Sequence, residues 1–169
     1  MSVGRTVCFS HGKESGPWGT KIEALAEVAR ISGWGVESLD YQGMADPDQR
    51  VAKLDAWCEF QTEPFVLVGS SMGGHVAAAA ANSKGRGALG LFLMAPAFYM
   101  EGFEQLTPNA PGCPITIVHG WRDDVVPWRN SACFAEPVNA KLVLLDDDHR
   151  LVDSLPAISA EFKAFLTEI

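Results

Sequence analysis

The sequence predicts an α/β protein, a three-layer α/β/α sandwich built on a mostly parallel six-stranded sheet. Three observations carry this. Short apolar runs alternate with segments of helical periodicity along the whole chain of 169 residues. Several of these runs are apolar at consecutive positions, as strands covered on both faces require. Glycine, proline and acidic residues punctuate the boundaries between them.

The elements follow in order. Thr6-Val7-Cys8-Phe9-Ser10 is a short apolar strand, and His11 to Gly19 is a glycine-rich loop holding Pro17. Thr20, with Glu23 three residues later, has the form of a capping box. The helix it opens runs to about Ser32, with Ile22, Leu25, Ala26 and Ala29 on one stripe, and Gly33 and Gly35 end it. Val36 to Tyr41 is the next strand. Asp46-Pro47 opens a helix whose Val51, Leu54, Trp57 and Cys58 recur at helical spacing, which places Trp57 in the core. Pro64 to Val68 is an apolar run, and His75 to Ala81 is alanine-rich and helical. Ala88 to Met94, Pro114 to Val118 and Lys141 to Leu145 are further strands. Trp128 to Ala135 reads as a short helix and Leu155 to Leu166 as the last one. Ala95 to Gly112, with Pro96, Pro108 and Pro111, is the one long irregular stretch. Repeats and linkers are lacking, so residues 1–169 read as one domain.

Composition narrows the function. The formal net charge is −8, which repels phosphate backbones and disfavours nucleic acid as a partner. No apolar run reaches the ~20 residues of a membrane span. Met1-Ser2-Val3-Gly4-Arg5 lacks the marks of a signal peptide, so a cytoplasmic location is expected. Cys8, Cys58, Cys113 and Cys133 are scattered without Cys-x-x-Cys spacing, which reads as reduced thiols rather than a metal site.

Between the run ending at Val68 and the alanine-rich helix lies Gly69-Ser70-Ser71-Met72-Gly73. A Gly-x-Ser-x-Gly turn from strand to helix bends sharply enough to hold one serine hydroxyl above the sheet. Centring the pattern on Ser70 puts Val68 and Met72 where glycines are needed, so Ser71 is the candidate nucleophile. A serine hydroxyl needs a base, and the base needs an orienting group. Ligands of parallel sheets bind beyond the carboxyl ends of the strands. His149 follows the last strand there. His119-Gly120-Trp121-Arg122-Asp123-Asp124-Val125-Val126-Pro127 follows another. His11 and His119, each before a glycine at a strand end, read as side chains that tie loop backbone together. His75, one helical turn after Ser71, reads as a packed or half-exposed helix residue.

These motifs together resemble the α/β-hydrolase superfamily in a compact form without a lid. The resemblance rests on the Gly-x-Ser-x-Gly elbow, His11-Gly12, the His-Gly-x-x-Asp-x-x-Val-Pro segment from His119 to Pro127, and the Asp-His loop at His149. It implies a sheet in the order 4-3-5-6-7-8 of the family's strand scheme, without the family's first two strands. It also implies Ser71 as nucleophile, His149 as base and Asp123 as orienting acid. Asp124 then occupies a variable position, and Asp146, Asp147 and Asp148 are further alternatives for the acid, read in preference as a solvated acidic turn. The implied oxyanion donors are the backbone N–H groups of Met72 and Lys13. No metal or organic cofactor is implied.

Trp18, Phe98, Tyr99 and Trp121 are candidates for the substrate pocket, beside Phe103 and Trp128. All fall in rim loops that could equally pack beneath one another. The expected activity is hydrolysis of a small acyl ester through an acyl-enzyme. Thioesterase, peptidase and carbon–carbon hydrolase remain open with the same triad. A non-catalytic binding protein on this fold is the alternative from another class. A nucleotide-binding Rossmann domain is disfavoured, because no Gly-x-Gly-x-x-Gly follows the first strand.

Overall fold

The computed structural model describes residues 4–82 and 87–169. The reading of Met1 to Val3 lies outside them. The elements in chain order are β1 (Thr6–Ser10), α1 (Thr20–Ile31), β2 (Gly35–Leu39), α2 (Pro47–Phe60), β3 (Phe65–Ser70), α3 (Met72–Ala81), β4 (Leu91–Met94), β5 (Ile115–Gly120), α4 (Trp128–Ala135), β6 (Lys141–Leu145) and α5 (Leu155–Glu168). The strands form one six-stranded sheet in the order β2-β1-β3-β4-β5-β6, and every pairing is parallel. This is the strand order the resemblance implies.

Successive side chains of a strand point to opposite faces, and that alternation builds two cores. Val7, Phe9, Val66, Val68, Phe92, Met94 and Val118 pack with Ile22, Leu25 and Ala29 of α1 and Ile158, Phe162 and Phe165 of α5. Cys8, Phe65, Leu67, Leu91, Leu93, Ile115 and Ile117 face the other way. They meet Leu54 and Cys58 of α2, Val76, Ala77 and Ala80 of α3, and Phe134 of α4. The central strands β3, β4 and β5 are buried throughout, whereas the edge strands β2 and β6 are half-exposed.

The chain runs from β1 to β2 on one side and then crosses back to β3 on the other. The strand order therefore reverses between β1 and β3. A crevice opens beyond the carboxyl ends of strands at such a reversal. The loop after β1 and the turn after β3 flank it.

Several elements depart from expectation. The capping box at Thr20 does not form. Thr20 is the first helical residue, Gly19 is the N-cap, and the Glu23 N–H bonds the Gly19 carbonyl at 2.9 Å. The helix starts one residue earlier than the capping reading requires, so the Thr20 hydroxyl is left outside. Asp46 does cap α2, accepting from the Asp48 N–H at 2.9 Å, with Pro47 first in the helix. Ladder pairing in β4 begins at Leu91 rather than Ala88. Trp57 is half-buried rather than core. It meets Phe65 edge-on, and its indole N–H reaches Glu37 Oε2 at 2.6 Å, which draws the ring toward the surface.

Candidate active site

The turn after β3 is built by close backbone approach. A Cβ on Gly73 would lie 1.9 Å from the Ser10 carbonyl oxygen and 2.6 Å from that of His11. One on Gly69 would lie 2.4 Å from the Gly73 oxygen, and one on Gly74 would lie 2.8 Å from Pro96 Cβ. Only glycine lets the start of α3 press against the end of β1 this tightly. Ser71 between them has φ 54° and ψ −120°, a conformation that costs a non-glycine residue on the order of 1–3 kcal/mol. The strain is held from both sides. The Ser71 N–H bonds the Met94 carbonyl at 3.0 Å, and the Ser71 carbonyl accepts from Gly74 and Ala97, each at 2.9 Å.

This geometry lifts the Ser71 hydroxyl above the sheet, where His149 meets it. Ser71 Oγ lies 3.0 Å from His149 Nε2, and His149 Nδ1 lies 2.7 Å from Asp123 Oδ2. Residues separated by 78 and 26 positions thus converge at one rim. Nδ1 faces a carboxylate and so carries the ring proton, which leaves Nε2 as the acceptor for the serine hydroxyl. Leu151, with φ 58°, turns the chain just beyond His149.

Asp123 is held at four points. Its Oδ1 accepts from the N–H groups of Val125 and Val126, each at 2.8 Å. Its Oδ2 accepts from His149 and also from His119 Nε2, at 3.0 Å. Burial alone would push this carboxyl up. The hydrogen bonds from His119, His149, Val126 and Val125 outweigh burial and hold it well below the usual carboxylate range. His119 is fully buried. Its Nε2 faces two acceptors, Asp123 and the Val126 carbonyl at 2.8 Å, and its Nδ1 meets Ser131 Oγ at 2.7 Å. The sequence reading gave His119 only a backbone-tying part. Its contact with Asp123 was missed. The usable signal was its place four residues before Asp123 across a tight turn.

The other acidic candidates lie elsewhere. Asp124 is exposed, as is Asp146, which pairs with Arg122 at 2.8 Å. Asp148 is exposed, but Asp147 departs from the expected solvated turn. It is only 3% exposed, and its carboxylate accepts from the Asp148 and Ser154 N–H groups at 2.8 Å. It therefore braces the loop that carries His149.

Of the two expected oxyanion donors, Met72 directly follows Ser71, and Lys13 follows a glycine that rests against it. Met72 is the first residue of α3, so its N–H has no carbonyl one turn earlier to bond. Gly12 lies against the elbow, since a Cβ there would be 3.6 Å from Ser71 Cβ, and Lys13 is the next residue.

The pocket candidates divide. Phe98 is a correction: it is fully buried and stacked on Phe134, with ring centres 4.1 Å apart, so no surface remains for a ligand. The irregular stretch after β4 folds inward there and adds the ring to the core. Tyr99 is half-buried, with its N–H on Thr107 Oγ1 at 2.6 Å. Trp18 and Trp121 keep 41% and 50% of their surface. Trp121 meets Trp128 edge-on, with ring centres 4.9 Å apart, on the same turn as Asp123. His75 is half-buried, and burial lowers its pKa. Cys8 and Cys58 are buried free thiols, the second pushed up by burial to about 12. A cleft of about 530 Å³ lined by residues 110–115 and 137–140 lies at the opposite, amino-terminal end of β5 and β6.

An all-parallel sheet between two helical layers, with a strained serine elbow at its carboxyl edge, defines the class: an α/β-hydrolase fold. The chain belongs to the alpha/beta hydrolase family, whose model matches residues 8–167. Among solved structures it is similar to a Xanthomonas campestris pv. campestris protein assigned to the alpha/beta superfamily of hydrolases. That match has 32% identity and a TM-score of 0.86, and covers 98% of this chain and 99% of the other. Est1E from Butyrivibrio proteoclasticus shares the fold at 17% identity and TM-score 0.84, over 98% of this chain and 87% of that one. An esterase from Pyrococcus furiosus does so at 18% identity and TM-score 0.82, over 97% and 83%. No curated protein matches the sequence. No helix among the described residues is long and apolar enough to cross a membrane.

Proposed function

We propose that this chain is a serine hydrolase that cleaves a small acyl ester through an acyl-enzyme, with residues 1–169 acting as one catalytic domain. The observation that carries the reading is the unbroken hydrogen-bonded line from Ser71 through His149 to Asp123. Ser71 Oγ attacks the substrate carbonyl carbon while its proton passes to His149 Nε2. The imidazolium formed is stabilised by Asp123, to which Nδ1–H already donates. The carbonyl π electrons move to oxygen, and the N–H groups of Met72 and Lys13 bind the resulting oxyanion. Collapse of the tetrahedral adduct expels the alcohol, which takes the proton from His149. Water then repeats the sequence on the acyl-Ser71 ester, releasing the acid and restoring the serine.

Turnover of p-nitrophenyl esters of varied acyl length, beside the matching thioesters and anilides, tests this reading. Ester turnover that falls by 10³-fold or more in Ser71→Ala is the expected result. Turnover of thioesters or amides alone would move the substrate class. A wild-type chain that turns over none of them would favour a binding protein on this fold.

A further inference from the structure

Arg50 is 2% exposed, yet it carries a guanidinium. Burying a cation is costly unless its donors find partners. Its three hydrogen bonds among the described residues all go to main-chain carbonyls: Nε to Met44 at 2.8 Å, and Nη1 to His11 at 3.3 Å and Gly12 at 3.2 Å. Its guanidinium carbon stands 5.2 Å from the centre of the Tyr41 ring. The side chain leaves the buried stripe of α2, four residues before Leu54 and eight before Cys58, and crosses to the turn after β1. A hydrophobe would satisfy the stripe. The guanidinium instead serves two consecutive carbonyls of the turn.

The Gly12 carbonyl belongs to the same peptide unit as the Lys13 N–H. In a planar trans peptide the C=O and N–H point in opposite directions, and no peptide bond among the described residues is cis. The Gly12 oxygen receives Arg50 Nη1 from one residue and His11 Nδ1–H, at 2.8 Å, from another. The carbonyl is thereby fixed toward α2, and the Lys13 N–H must point the other way. Gly12 itself rests against Ser71. We propose that Arg50, assisted by His11, is the positioning residue of the oxyanion hole, fixing the Gly12–Lys13 peptide so that its N–H faces the carbonyl oxygen of a substrate held at Ser71.

This inference rests on the serine-hydrolase reading, and its test separates the two. Arg50→Lys and Arg50→Met are prepared in the full chain, and kcat and KM are measured for an ester the wild type turns over. Binding of an alkylboronic acid, which forms a tetrahedral adduct on serine, is measured beside them. The expected result is a fall in kcat of about tenfold to a hundredfold, less than the loss of a whole donor. KM stays within about threefold, boronate affinity falls in parallel with kcat, and fluorophosphonate still attaches to Ser71. Full kcat and boronate affinity in folded variants would overturn the proposal and leave the parent reading intact. Failure of the wild type to bind boronate or fluorophosphonate would remove both. If the variants do not fold, the wild-type Lys13 amide is followed by NMR. A downfield proton shift on boronate binding is expected, and an unmoved resonance overturns the proposal.

Discussion

His11-Gly12 and His119-Gly120 are the same dipeptide at the carboxyl ends of two buried parallel strands, the first just beyond β1 and the second closing β5, and both histidines are fully buried. Their neighbours make them different. Among the described residues His11 hydrogen-bonds main chain: Nδ1–H donates to the Gly12 carbonyl and Nε2 accepts from the Tyr41 N–H at 2.8 Å, with an exposed Asp40 carboxylate no nearer than 3.8 Å. His119 carries its proton on the other nitrogen, because Nε2 faces the Asp123 carboxylate and the Val126 carbonyl. The glycines differ too. A Cβ on Gly12 would make ordinary contacts of 3.5–3.6 Å, whereas one on Gly120 would lie 2.3 Å from the Asp147 oxygen. One turn is a scaffold for a peptide plane. The other is packed against the loop of His149 and grips the acid. The dipeptide sets where an imidazole sits, and the loop returning beside it sets what the imidazole does.

Substitutions at the acid turn break this comparison hardest. Asp123→Asn exchanges one acceptor oxygen for an N–H group while two histidines and two backbone N–H groups still point at the position. A fall in kcat of about 10⁴-fold with the fold retained is expected, read by ester kinetics and circular dichroism. A loss below tenfold would show that His149 needs no carboxylate to orient it.

The glycines sharpen the contrast next. Gly120→Ala forces backbone apart and should lower stability by at least about 2 kcal/mol. Gly12→Ala should cost less than about 1 kcal/mol, yet reduce kcat, because the added methyl occupies space beside Ser71. Urea unfolding with parallel kinetics checks both, and equal destabilisation would erase the distinction.

The smallest effect is on acid stability. His11 is held below its ordinary pKa, first by burial and also by Arg50 nearby, against raising contributions from the Gly12 carbonyl and Asp40. The unfolded chain therefore takes up a proton at His11 before the folded chain does. Stability supplied there is present above about pH 6.5 and is lost as pH falls below it. Asp123, depressed by its donors, behaves as a carboxylate instead. Its contribution is present above about pH 4 and is lost only in stronger acid. His11→Gln should flatten the slope of stability between pH 7 and 5, and His119→Leu the slope below pH 4. Reversed assignments in a pH series of urea unfolding would contradict the comparison.

Much of this was legible in the chain. The six strands, the helices on both faces and the placing of Ser71 and His149 at the carboxyl rim follow from apolar runs and from motifs at strand ends, whereas strand order and the choice of Asp123 came with the family resemblance. Other features were not, among them three that bear on the site. Phe98 sits in a proline-rich stretch without periodicity, so nothing local said that its ring would turn inward onto Phe134. The second partner of Asp123 depends on how tightly one turn closes, which spacing alone leaves open. Arg50 gave a sign that was not used: a charged residue in register with Leu54 and Cys58 on a buried helical stripe. Such a residue is placed by contacts 38 and 39 positions away, which local pattern does not carry.

On the proposed mechanism Ser71 is a nucleophile primed by His149. Intact and peptide mass spectrometry after brief exposure to a fluorophosphonate tests it most directly. One adduct per chain is expected, on the peptide containing Ser71, lost in Ser71→Ala and strongly slowed in His149→Ala. An unmodified wild-type chain, or an adduct of equal yield in Ser71→Ala, would contradict it.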